Sequence, residues 1–98
     1  MKEFIILEKT PYGEQYINGA HMTRRGAVQS SILSMYDHYN TYGFDDDALR
    51  TYFEEIYDKI EHGEEIPMNE LHKCWSLLSD ACEKVDYVIE IDEHTLEP

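Results

Sequence analysis

Residue types able to do chemistry are present in this chain, but their spacing does not suit most of what they could do. Five histidines, His21, His38, His62, His72 and His94, show no HxxxH, HExxH or ExxH interval that would set two ligands on one helix face. Cys74 and Cys82 are eight residues apart. On one helix that is a rise of about 12 Å, too far for a disulfide, which needs Cα atoms roughly 4.4 to 6.8 Å apart. Both are therefore expected as reduced thiols, Cys82 in the core and Cys74 at its edge. The run Asp45-Asp46-Asp47 lacks the glycine and the distal glutamate of a calcium loop. Ser34 and His38 have the i,i+4 spacing of a helical pair but no third member, no oxyanion donor and no GxSxG elbow. Gly13, Gly19, Gly26, Gly43 and Gly63 form no phosphate cradle. The expectation is a protein without catalytic, metal or cofactor residues, one that is not an enzyme.

Charge is the stronger signal. The formal net charge is -13, and it is unevenly placed. Residues 1 to 43 hold four acids and four bases, whereas from Phe44 onward seventeen acids face four bases, so the second half carries the whole excess. In the segment after Asp47, the positions Asp47, Glu54, Asp58 and Glu61 fall within about 60° on a helical wheel, opposite an apolar stripe. Glu64 and Glu65 extend the line past the helix end. Duplex DNA carries one charge per about 1.7 Å of axis, so a stretch about 30 Å long, the breadth of a globule this size, holds roughly 18. The net charge of -13 approaches that density. The plainer account of such a row is a solvated helix face, yet only Arg50 and Lys59 are placed to relieve its like-charge repulsion. Acids kept at that cost favour a use for them.

Tyrosine is also frequent, with eight in 98 residues, and Tyr12, Tyr16, Tyr36, Tyr39 and Tyr42 fall in the uncharged half. Tyr39 and Tyr42 lie on an apolar helix stripe and are expected in the core. Tyr12 at a turn and Tyr36 on a helix flank are expected at a contact surface, since tyrosine supplies interface area at low entropic cost. Leu33 and Leu77 sit off their stripes and are a possible homodimer contact. Arg24-Arg25 opens a predicted helix and could hold an anion there, although pairing with the chain's own carboxylates is easier in so acidic a protein.

The elements that must carry these residues follow from periodicity. Phe4 to Leu7, the turn Thr10-Pro11-Tyr12-Gly13 and a return strand with Tyr16 and Ile17, closed by Asn18-Gly19, predict a hairpin. Thr23 is the expected N-cap of a helix over Arg24 to Tyr42, with Val28, Ile32, Met35, Tyr39 and Tyr42 on its buried face and Gly43 just past its end. Asp45 is the expected cap of a second helix whose stripe is Leu49, Tyr52, Phe53, Ile56, Tyr57 and Ile60, ending before Gly63. Ile66-Pro67 opens a third, with Met68, Leu71, Trp75, Leu78, Cys82 and Val85 three and four apart. Val85, Tyr87, Ile89 and Ile91 then alternate with acids as a strand, Val88 suggesting cover on both sides, and the tail from Glu93 has nothing to bury. One domain over residues 1–98 results, of α+β class: a small antiparallel sheet, made of the N-terminal hairpin and the C-terminal strand, packed by three helices.

The 42% hydrophobic and 12% aromatic content separates the chain from disordered acidic segments. No apolar run approaches membrane-spanning length and no secretory apolar region opens the chain, so a cytoplasmic protein without membrane contact is expected. Direct nucleic-acid binding is disfavoured, because phosphate contact needs a basic patch. In size and charge alone the chain resembles the small acidic proteins that phages direct against host nucleases, anti-restriction DNA mimics and anti-CRISPR proteins among them. That resemblance implies an inhibitor or adaptor docking on a basic, nucleic-acid-binding surface of a partner protein, through Asp47, Glu54, Asp58, Glu61, Glu64 and Glu65, with Tyr12 and Tyr36 as anchors. Alternatives are an immunity protein or antitoxin neutralising a toxic nuclease, and a homo-oligomeric structural or regulatory protein.

Overall fold

The computed structural model describes residues 1–41 and 46–95, and the architecture is α+β as expected. The elements run β1 (Lys2–Lys9), β2 (Gln15–His21), α1 (Arg24–Thr41), α2 (Asp47–Glu61), α3 (Met68–Glu83) and β3 (Val88–Thr95). The sheet is antiparallel throughout in the order β2-β1-β3, so the first strand is the central one and both later strands are edges. Helices α1 and α3 pack on one face of this sheet; α2 packs on those two helices and reaches no strand.

The hairpin turn closes through Gly13 N–H to Thr10 O and Thr10 N–H to Glu14 O, with Gly13 at φ +80°, a conformation that costs a side chain dearly and glycine nothing. Both strands are longer than the apolar run suggested. Asn18-Gly19 does not end the return strand but lies within it, where the register shifts at Ile6/Leu7 so that Leu7 pairs Ile17 and Ile6 pairs Gly19. The extra residue of that bulge lets Asn18 reach the helical layer. Thr23 caps α1 as expected, its Oγ1 accepting from Gly26 N–H at 3.0 Å. Tyr42, Gly43 and Asp45 lie outside the described residues, and the side chain that caps α2 is Asp46, accepting from Leu49 N–H at 3.0 Å. Replacing that acceptor orphans a helix-terminal donor. Asp46→Ala is expected to lower stability by about 1 kcal/mol, read as a lower urea midpoint at unchanged m-value.

Helix α2 ends where expected. Glu64 N–H reaches Lys59 O, Gly63 N–H reaches Ile60 O, and Gly63 takes φ +70°, a Schellman stop. Helix α3 ends in the same way, with Tyr87 N–H on Cys82 O, Asp86 N–H on Glu83 O, and Asp86 in the left-handed region at φ 58°. The alternation from Val85 is therefore strand only from Val88 onward. Val85 to Tyr87 belong to the helix stop, β3 begins at Val88, and Glu93 to Thr95, expected as a free tail, pair with Lys2 to Phe4. Their side chains bury nothing, but their backbone completes the ladder, and Lys2 Nζ lies 2.9 Å from Glu93 Oε1.

The core lies between sheet and helices. Phe4 and Ile6 of β1 and Ile89 of β3 meet Val28, Ile32, Met35 and Tyr39 of α1 and Leu71, Cys74, Leu78 and Cys82 of α3; Phe53 and Ile56 fasten α2 to this body. Cys74 is fully buried rather than at the edge, and so is Cys82, whose Sγ lies 3.6 Å from Met35 O. Burial pushes both thiols up to about 12. Both are free of any disulfide.

Candidate functional site

The acidic row is built by one helix and its stop. Phe53 and Ile56 face inward, and the 3.6-residue period then turns Asp47, Glu54, Asp58 and Glu61 to solvent, all four exposed. Asp47 to Glu61 spans 15 residues, about 21 Å of helix axis between the end positions, and the Gly63 stop delivers the exposed Glu64 and Glu65 beyond it. Thr51 fills the gap in the row, its hydroxyl donating back to Asp47 O at 2.9 Å, and exposed Glu55 widens the ridge on one flank. Among the described residues no ion pair reaches Asp47, Glu54, Asp58, Glu61, Glu64 or Glu65. Arg50 lies with its guanidinium 5.9 Å from the centroid of the Tyr39 ring. The two arginines at the start of α1 are also engaged elsewhere: Arg25 donates to Ile66 O, and Arg24 sits over the Phe4 ring at 5.9 Å. The anion site considered for that pair therefore loses one guanidinium to the backbone and has the other on an aromatic face.

The anchors expected beside the row separate. Tyr12 is 85% exposed at the hairpin tip, on another element from α2. Tyr36 is 9% exposed, so little of its side chain lies at the expected contact surface. Its ring packs on Tyr57 of α2 at 4.9 Å between centroids, beneath the acids rather than beside them. Burial and then the nearby Glu54 carboxylate raise its hydroxyl above the usual tyrosine range. The wheel placed Tyr36 on the α1 flank correctly, but that flank is the one α2 covers, which a single helix pattern does not disclose. Leu33 and Leu77 are half-buried, and Leu77 packs against the core.

A second constellation was not legible in the sequence. A shallow polar cleft of about 450 Å³ gathers Glu8 of β1, Asn18 of β2, Ser34, Asp37, His38 and Thr41 of α1, and Tyr87. Glu8 Oε1 accepts from the Tyr87 hydroxyl, and Glu8 Oε2 accepts from Asn18 Nδ2 at 2.9 Å; Asn18 Nδ2 also lies 3.4 Å from Ser34 Oγ. The His38 ring stacks on Tyr87 at 3.8 Å and 15°. Burial lowers the His38 pKa, with Glu8 opposing, and burial followed by the bond to Glu8 raises that of Tyr87. The Ser34/His38 pair thus has a carboxylate near it, but both oxygens of Glu8 already accept from Tyr87 and Asn18. The network ties both hairpin strands to α1 and to the α3 stop, and its chemistry is that of a latch.

The remaining surface of note is the hairpin. Among the described residues the exposed large apolar side chains, Met1, Tyr12, Tyr16, Ile17 and Met22, all belong to β1, β2 or the residues beside them. Among the described residues no group of three or more His, Cys, Asp or Glu side chains could hold a metal ion, and no helix is long and apolar enough to cross a membrane. No protein-family model, no curated protein and no solved structure matches the chain.

Proposed function

We propose that this protein is an inhibitor or adaptor whose acidic ridge docks on a basic, nucleic-acid-binding surface of a partner protein and competes there with the nucleic acid, in the manner of small acidic phage inhibitors of nucleases. The observation that carries the reading is the row along α2: carboxylates exposed over about 21 Å, continued by Glu64 and Glu65, with no ion pair from the described residues. Such a row costs stability through self-repulsion, offset within the helix by Asp47 at the positive end of its dipole, whereas it offers a cationic groove the regular negative charge for which that groove is shaped. Tyr57, Phe53 and Ile56 pack the helix onto the core from beneath, so the backbone that spaces the charges is in place before docking. Electrostatic steering sets the encounter rate, and the surrounding contacts set the lifetime.

The test is capture from a cell lysate on immobilised protein at about 50 mM and then 500 mM salt, where screening shortens to a few ångströms. Retention of basic nucleic-acid-binding proteins at low salt and their release at high salt is the expected result. A retained set with no such proteins, or one indifferent to salt, would overturn the reading.

A further inference from the structure

Strand β2 is an edge, and edges of natural sheets are ordinarily guarded by charge, proline or cover, because their unpaired N–H and C=O groups recruit other strands. Its sequence, QYINGAH, contains no lysine, arginine, aspartate, glutamate or proline, in a chain that is 30% charged, and the bulge at Asn18 is the one interruption along it. Five of its seven residues are exposed, including Tyr16 at 47% and Ile17 at 65%. The opposite edge is guarded: β3 carries Glu90, Asp92 and Glu93. The asymmetry continues into the helical layer, where α1 packs against β2 and Asn18 touches Ser34. Residues 26 to 36 of α1 hold no charge either, and half-buried Gln29, Ser30 and Leu33 lie in that stretch.

We infer that β2 pairs antiparallel with β2 of a second copy of this chain, joining two three-stranded sheets into one of six. The occupant follows from charge. Two molecules of net charge -13 repel, and residues 1 to 43, where the charges sum to zero, form the part through which they can approach. An antiparallel pair of identical strands is self-complementary, so a two-fold axis through β2 satisfies both edges with one set of contacts. Assembly then stops at two, because the outer edges of the joined sheet are both β3, with three acids each. Helix α2 touches no strand, so its ridge takes no part in the contact and is duplicated by it. This inference does not rest on the proposed docking of the acidic ridge, and the two fail independently.

Sedimentation equilibrium at tens of micromolar protein tests it. The chain mass is 11.6 kDa, and twice that, 2 × 11.6 = 23.2 kDa, is the expected value. Ile17→Lys, which places a charge on the bare edge, is expected to return the mass to one chain, while Glu90→Lys on β3 leaves the dimer intact. Hydrogen exchange on the unaltered protein gives a second readout independent of any variant's folding: β2 amides become less protected on dilution while β3 edge amides do not change. A wild-type mass of 11.6 kDa, or a dimer whose β2 amides exchange at the same rate at every concentration, overturns the inference.

Discussion

Glu54→Gln, Asp58→Asn and Glu61→Gln together are expected to slow association with a basic, nucleic-acid-binding partner about tenfold at low salt, and to flatten its dependence on ionic strength. All three side chains are exposed on the outward face of α2, and no ion pair from the described residues compensates them, so their removal subtracts chiefly from the external field. The fold is expected to tolerate the change, since like-charge repulsion along the helix is relieved. Stopped-flow association at two salt concentrations checks the first part and urea denaturation the second. At about 0.5 M salt the variant and the unaltered protein should associate at the same rate, because the steering field no longer extends beyond contact distance.

The second large effect concerns the thiols. Cys74 and Cys82 have no exposed surface, and burial pushes both pKa values up to about 12. The thiolate is the reacting species, so at pH 8 the reactive fraction falls roughly a thousandfold below that of an open cysteine, and access is blocked besides. A disulfide-exchange reagent should modify neither residue in the folded protein over minutes and both at once in denaturant. The release of both thiols should track the global unfolding midpoint, since α3 packs in the core along its whole buried face. Prompt labelling of either cysteine without denaturant would contradict the packing described for α3.

How much of this was legible in the sequence depends on whether a signal was local. The stripe of α2 and its Gly63 stop read correctly because the apolar period and the left-handed glycine both lie within a few residues. The stop of α3 has the same backbone geometry, but Asp86 rather than glycine occupies the left-handed position. With the usual mark of a stop missing, the alternation of Val85, Tyr87, Ile89 and Ile91 read as a strand that begins three residues too early. The pairing of Glu93 to Thr95 was hidden for a different reason, because their side chains bury nothing and only the β1 backbone opposite gives them a place.

The same division holds for the surface. The acidic row is a property of one helix and could be drawn on a wheel, whereas the fate of Tyr36 depended on which helix would cover its flank. The latch of Glu8, Asn18 and Tyr87 joins residues as far as 79 positions apart, and no spacing rule reaches that distance. The bare edge of β2 is intermediate. Its lack of charge stands in the sequence, but it acquires meaning only once β1 is known to be the central strand.

The most direct measurement is a competition on a captured partner: duplex DNA bound to the basic protein, titrated with the unaltered chain at fixed low salt. Mimicry of a polynucleotide by the α2 ridge predicts that each molecule of protein bound displaces DNA, with mutually exclusive occupancy at saturation. A ternary complex, in which partner, DNA and this chain coexist at full occupancy, would contradict it.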